Sequence, residues 1–108
     1  MNELIKAAYE NSKAHGFWEG VDPVKSIPEK LMLMVSELSE ALEHYRNGYS
    51  ATEIWPTNGK PDGFPVELAD TVIRIADLCG ALGIDLDEAI KRKMEYNISR
   101  PYKHGKTC

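Results

Sequence analysis

The chain has 108 residues and a formal net charge of −4, a size that predicts a single domain over residues 1–108. The negative charge argues against a nucleic-acid partner, because wrapping a nucleic acid requires a broad basic surface. The two cysteines form neither a disulfide framework nor a zinc motif, and no apolar run is long enough for a signal peptide or a membrane span. We therefore expect a cytoplasmic protein without a membrane partner.

Two helices are predicted in the first half of the chain. The first runs from about Asn2 to His15 and stops at Gly16, a residue that often ends helices. The second opens after Ser26, where the spacing of Ser26 and Glu29 resembles a capping box. It is expected to end near Arg46.

Two more helices are predicted after a long connection. Residues 48–65 contain three prolines and three glycines, which indicates an irregular segment. Pro65 then suits the first turn of a third helix that ends at Gly83. Asp85 caps the last helix, which is expected to fade before Pro101. Nothing between the helices shows the two-residue alternation of strands.

The second and third helices each carry one apolar stripe with the spacing of a bundle helix. On the second helix the stripe consists of Leu31, Met34, Val35, Leu38, Ala41, Leu42 and Tyr45. On the third it consists of Leu68, Ala69, Val72, Ile75, Ala76, Cys79 and Leu82. The predicted fold class is therefore all-α, a long helical hairpin with short flanking helices. A second copy would complete a four-helix bundle, so we expect a homodimer or a homotetramer.

Two pairs of carboxylates stand out on this hairpin. Glu37 and Glu40 are three residues apart on the second helix, and hence on one face of it. Glu67 and Asp70 repeat that spacing on the third helix. If the helices pack antiparallel, the two pairs converge and repel one another unless cations lie between them. Carboxylate oxygens suit Mg²⁺, or Mn²⁺, better than zinc.

An ordinary solvated helix surface explains the same acids. In that interpretation Arg74 pairs with Asp70 and Asp77 on its own helix. Glu37, beside the apolar stripe, fits the interpretation less well, because an unpaired carboxylate is costly there. The spacing alone leaves both interpretations open.

Two other metal chemistries fit the sequence poorly. A di-iron carboxylate bundle requires Glu-x-x-His on two helices, whereas His44 follows Glu40 by four residues and Glu43 by one. A zinc hydrolase of the His-Glu-x-x-His type is excluded because the three histidines are widely scattered.

Three segments together resemble MazG-like nucleoside triphosphate pyrophosphohydrolases, over roughly residues 26 to 106. SELSEAL at residues 36–42 and ELAD at residues 67–70 match that family's Glu-x-x-Glu … Glu-x-x-Asp motif. GKPDGFPVELADTVIRIADL resembles its second metal-binding helix with the preceding loop, and KRKMEYNISRPYKHGK is similar to its carboxyl-terminal segment. One position departs from the pattern: Ser36 stands where many members have an additional glutamate.

The resemblance implies hydrolysis of a nucleoside triphosphate, often a deoxynucleotide, to the monophosphate and pyrophosphate. Glu37, Glu40, Glu67 and Asp70 would be the catalytic and metal-binding residues. Mg²⁺ held by them would neutralise phosphate charge and activate a water, and Glu37 is a candidate base.

The resemblance also assigns phosphate contacts to the last helix. Lys93 and Asn97, one turn apart, match the family's Lys-x-x-x-Asn pattern, and we expect them, with Arg100, to bind the phosphates. Arg100, Lys103 and Lys106 fit equally a basic tail that closes over the triphosphate and a set of solvated charges.

For the nucleotide base an aromatic partner is expected, and Phe17, Trp18 and Trp55 lie in segments predicted to be loops. Trp18 and Trp55 are the stacking candidates, although a tryptophan beside a helix end more often covers the core.

Two alternatives to this function remain at the level of sequence. One is a non-catalytic helical dimer that uses its acidic strip to bind a partner or a metal. The other, within the same superfamily, is phosphoribosyl-ATP pyrophosphohydrolase, which the KPDG and HGK segments fit less well.

Overall fold

The computed structural model describes residues 1–105. Its elements in chain order are helices α1 (Asn2–Ala14) and α2 (Ile27–Arg46), strands β1 (Trp55–Thr57) and β2 (Lys60–Asp62), helices α3 (Phe64–Leu82) and α4 (Leu86–Ser99), and a 3₁₀ helix (Tyr102–Gly105). All four predicted helices are present. The chain is mostly helical with one small sheet, which confirms the all-α class in its coarse form. No helix in the described part of the chain is long and apolar enough to cross a membrane.

The connection between α2 and α3 contains an antiparallel β-hairpin, so the expectation of no strands was wrong. Trp55 pairs with Asp62 at its open end. Asn58 and Gly59 form the turn with φ angles of 53° and 80°. Positive φ at both positions gives a turn whose twist matches that of paired strands, and Asn-Gly is the sequence that favours it. Strands of three residues are too short to show alternation.

The predicted helix caps have different outcomes. The Asp85 carboxylate accepts a hydrogen bond from the Glu88 backbone N–H at 3.1 Å, which confirms the cap of α4. The capping box at α2 was wrong, because the Ser26 hydroxyl instead donates to the Pro23 carbonyl at 2.8 Å. Ser26 already has helical dihedral angles, and its hydroxyl closes the preceding turn rather than the helix.

The core lies on both sides of α3, which packs against α2 and α1. Its buried apolar residues form two clusters, and α3 contributes to both of them. The first cluster consists of Ile5, Ala76 and Cys79, and the second of Trp18, Met34 and Leu78. α1 approaches α3 so closely at Gly80 that a Cβ added there would collide with the Tyr9 side chain.

α4 stands apart from this three-helix body. Leu86, at its start, packs against the core, and the Asp87 carboxylate lies 3.2 Å from the amino terminus. No residue of α4 is buried, and no other described helix packs along it. Its apolar side chains Ile90, Met94 and Ile98 are therefore exposed.

The predicted apolar stripe of α2 is only partly covered within one chain. Met34 and Ala41 are buried. The other five members are exposed, namely Leu31, Val35, Leu38, Leu42 and Tyr45. On α3, Leu68 and Val72 are exposed as well. A single chain thus leaves one broad apolar face of the hairpin open to solvent.

Candidate metal centre and adjoining pocket

The packing of α2 on α3 brings the predicted carboxylates together. Ligand oxygens of Glu37, Glu67 and Asp70 all lie within 4.8 Å of one another. Glu40 adjoins the same group, since its carboxyl lies within interaction distance of Glu67. Glu37 faces Asp70 while His44, two turns further along α2, faces Glu67, so the helices run antiparallel, which is the condition under which the two pairs were expected to converge. The four acids form one cluster.

Glu67 is the most deeply placed member of this cluster. The residue is only 5% exposed, and its Oε2 has no hydrogen-bond partner among residues 1–105. Burial, followed by the neighbouring carboxyls of Glu40 and Glu37, raises the pKa of Glu67 to about 9. A buried acid with one unsatisfied oxygen and other acids around it costs folding free energy. A bound cation would remove that cost.

The pKa of Asp70 is raised as well. Burial and the negative charge of Glu37 raise its pKa, while the positive charge of Arg74 opposes the shift. The Arg74 guanidinium does not pair with Asp70 and Asp77 as the surface interpretation required. It crosses to α2, where Nε and Nη2 each lie 3.2 Å from Glu37 Oε1. Arg74 thereby fixes the position of the Glu37 carboxylate.

A histidine and an aspartate that sequence reasoning did not select extend the cluster toward the hairpin. His44 Nε2 lies 3.1 Å from Asp62 Oδ1 and 3.6 Å from Glu67 Oε1. Hydrogen bonds from the Gly63 backbone and from Thr57, together with His44, lower the pKa of Asp62 against the effect of burial. His44 shares a helical face with Glu40, so its spacing was a usable signal. Asp62 had none, because it is placed by the unpredicted strand β2.

The two tryptophans predicted to stack on a base both have partners within the protein. Trp55 stacks on Tyr49 with ring centroids 4.3 Å apart, and its edge meets His44 at 5.1 Å. Trp18 is 9% exposed and belongs to the core, and its indole N–H donates to Asp77 Oδ1 at 2.8 Å. Trp55 therefore anchors the hairpin beside the cluster, and Trp18 joins α3 to the segment before α2.

The predicted phosphate ligands lie on or just after α4, which packs along no other helix in the described part of the chain. Lys93 and Asn97 lie on α4, and Arg100 follows it. The Lys93 ammonium and the Arg100 guanidinium lie 5.0 Å and 5.3 Å from the ring centroid of Tyr96. Asn97 Oδ1 is shielded from solvent and lacks a hydrogen-bond partner among the described residues. Lys106 lies outside those residues.

A pocket of about 340 Å³ adjoins the cluster. Glu37, Asp70 and Arg74 contribute to its wall, so the pocket and the carboxylates share one boundary. The remaining wall comes from α1, from the start of α2, from the segment that follows α1 and from the second half of α3, and it includes Asn11, Phe17, Trp18, Lys30, Ile73 and Asp77. A candidate cation-binding site thus lies next to a partly apolar cavity.

No family model, curated protein or solved structure matches the chain. The family and the activity implied by the motifs therefore stay predictions, and the geometry described above is their physical support.

Proposed function

We propose that this chain is a MazG-like pyrophosphohydrolase of the cytoplasm. It converts a nucleoside triphosphate, preferably a deoxynucleotide, into the monophosphate and pyrophosphate with the help of Mg²⁺, for which Mn²⁺ can substitute. The observation that carries the proposal is the convergence of Glu37, Glu67 and Asp70 from two helices to within 4.8 Å. Carboxylates held this close together repel one another, and a bound cation would offset that repulsion.

The residues of the cluster fit a hard divalent cation. All four donors predicted from the motifs, Glu37, Glu40, Glu67 and Asp70, are carboxylates, the ligand type that Mg²⁺ and Mn²⁺ prefer. Glu67 Oε2, buried and without a partner among residues 1–105, is an oxygen that a cation would satisfy. We assign these four residues to hold the metal.

When bound, the cation supplies charge neutralisation for the triphosphate and acidifies a water. The protein's own groups orient this chemistry. Both contacts of Arg74 are to Oε1 of Glu37, so the guanidinium itself does not occupy Oε2. Arg74 is thus the group that holds the candidate base in place.

We further propose that the active form is a homodimer, in which a second copy covers the open apolar face of the hairpin and completes a four-helix bundle. Leu31, Val35, Leu38 and Leu42 on α2 and Leu68 on α3 would be covered, and each is exposed in the single chain.

The same dimer would supply the phosphate contacts. α4 carries Lys93 and Asn97 but packs along no other described helix of its own chain. The carboxylates of α2 and α3 form a negatively charged site, whereas the middle of α4 carries Lys91, Arg92 and Lys93, and Arg100 follows the helix. Charge complementarity therefore favours α4 of one copy lying against the substrate held by the other.

Product analysis tests the proposal. The protein with Mg²⁺ is incubated with a panel of ribo- and deoxynucleoside triphosphates, and chromatography identifies the products. We expect monophosphate and pyrophosphate in equal amounts from at least one substrate. Glu40→Gln should lower activity by more than the roughly 100-fold typical for groups that only support a metal ligand.

The matched control is Glu43→Gln on the same helix. The Glu43 side chain is 61% exposed and pairs only with Arg46 in the described structure, so this variant should retain full activity. Release of orthophosphate alone, or unchanged activity in Glu40→Gln, would contradict the proposal.

A further inference from the structure

The pocket beside the carboxylates is placed to receive the nucleoside half of a substrate. Asp70, at its boundary with the cluster, and Asp77, further along α3, both line it. Seven residues separate them, which is two helical turns, so both side chains lie on one face of α3 about 10 Å apart along the axis. A nucleotide with its phosphates at the carboxylates would have its base near Asp77.

The walls near Asp77 suit a flat ring. Three apolar side chains line this part of the pocket: Phe17 and Ile73, which are exposed, and Trp18, which is buried. Phe17 is 68% exposed, so most of its ring is accessible to a ligand in the pocket. Stacking on a base would cover it, and such stacking accepts any base.

Selection between bases requires a hydrogen-bonding group, and Asp77 provides it. Its Oδ1 accepts the indole N–H of Trp18 at 2.8 Å, which fixes the carboxylate. No other hydrogen bond to this side chain occurs within residues 1–105, so Oδ2 remains an acceptor. An ionised carboxylate accepts hydrogen bonds and donates none.

Neither of the two cations that line the pocket distinguishes one base from another. Arg74 is held by Glu37 at the phosphate end. The Lys30 ammonium lies 4.8 Å from the centroid of the Trp18 ring system, where it can donate to a ring nitrogen or carbonyl that every common base offers. Of these charged groups, Asp77 is therefore the one that can distinguish between bases.

We propose that this pocket binds the base of the substrate and that Asp77 selects bases with an exocyclic amino group, as in cytosine and adenine, over their oxo counterparts. This inference rests on the proposed function for the identity of the ligand. An amino group donates to the carboxylate, whereas a carbonyl in the same place sets two acceptors against each other.

The test compares matched substrate pairs, dCTP against dUTP and dATP against dITP, by kcat/KM. We expect the wild type to prefer the amino member of each pair by about tenfold or more. In Asp77→Asn the amide oxygen can still accept the Trp18 N–H while the amide nitrogen becomes a donor. The preference should therefore fall at least about tenfold, mainly through faster reaction of the oxo members.

Asp22→Asn is the control for a lost aspartate charge near the same segment, because Asp22 caps a turn and does not line the pocket. It should leave the preference unchanged. Equal kcat/KM values for the members of each pair in the wild type, or the same preference in Asp77→Asn as in the wild type, would overturn the inference.

A binding measurement separates this inference from the proposed activity. Calorimetric titration with dCMP and dUMP requires no hydrolysis, and it applies to the wild-type protein as well as to Asp77→Asn. Tighter binding of dCMP that depends on Asp77 supports the pocket even if no triphosphate is hydrolysed. Hydrolysis without any amino preference, accompanied by equal binding of both monophosphates, leaves the activity standing and removes the pocket's assigned role.

Discussion

α3 carries two of the predicted metal ligands and α4 carries predicted phosphate ligands, but the two helices differ in how they are packed. α3 is enclosed by α1 and α2, and its Glu67 and Asp70 meet Glu37 across a helix interface. α4 has no buried residue, and its Lys93 contacts only Tyr96 on its own helix among the described residues. The carboxylates of α2 and α3 meet within one chain because these two helices pack against each other. α4 leaves its apolar side exposed in the single chain, and we propose that a second copy of the chain covers it.

The largest expected effect comes from mixing two inactive proteins. Glu67→Gln removes a carboxylate of α3, and Lys93→Ala removes the α4 cation that is proposed to bind the phosphates. If each site combines α3 of one copy with α4 of the other, a mixed dimer has one intact site. Random mixing then restores about a quarter of wild-type activity. The steady-state rate of triphosphate hydrolysis in the mixture measures this.

Arg92→Ala is the control for a lost α4 cation, because Arg92 pairs with Glu88 on its own helix at 2.9 Å. It should keep wild-type activity without mixing. If the mixture of Glu67→Gln and Lys93→Ala is no more active than either parent, the two helices do not meet across copies.

The second prediction concerns the open face of α2. Leu42 is 45% exposed in the single chain, so Leu42→Asp should not disturb the three-helix body. In a dimer it would bury an unpaired charge, at a cost of about 2 kcal/mol or more of association free energy. Light scattering at micromolar concentration should show a dimer for the wild type and a monomer for this variant. A monomeric wild type would contradict the bundle.

A third substitution probes the enclosed side of α3. Gly80→Ala forces the α1 and α3 backbones apart at Tyr9, and we expect a loss of about 1–3 kcal/mol of unfolding free energy. Gly48→Ala is the matched comparison. It has φ of +85° and open space around it, so only the backbone strain of about 1 kcal/mol applies. Urea unfolding measures both variants, and equal losses would mean that α1 is not tightly packed on α3.

The fourth prediction is a pH dependence without divalent cations. The pKa of Glu67 is raised from 4.5 to about 9, so the folded protein binds a proton more tightly than the unfolded chain does. Unfolding free energy should therefore fall as pH rises from about 5 to 9, and the Glu67→Gln variant should show a flatter profile. Melting temperatures across this range test it, and a rising wild-type profile would contradict the buried acid.

Helical periodicity and end signals predicted α1 to α4 and the two carboxylate pairs, because those features depend on local spacing along single helices. Three features were not predictable in this way. The hairpin strands are too short for alternation, although Asn58-Gly59 was a turn signal. Asp62 depends on that hairpin. The link from Trp18 to Asp77 joins residues distant in sequence, and only the packed structure reveals it.

Cation binding tests the central claim most directly, that Glu67 and its neighbouring carboxylates form a divalent-metal site. Isothermal titration calorimetry with Mg²⁺ and with Mn²⁺ at pH 8 compares the wild type with Glu67→Gln, and Glu43→Gln serves as the control. We predict binding by the wild type and by Glu43→Gln, and an affinity at least about tenfold weaker for Glu67→Gln. Equal affinity in all three proteins, or no binding by the wild type at millimolar cation, would contradict the account.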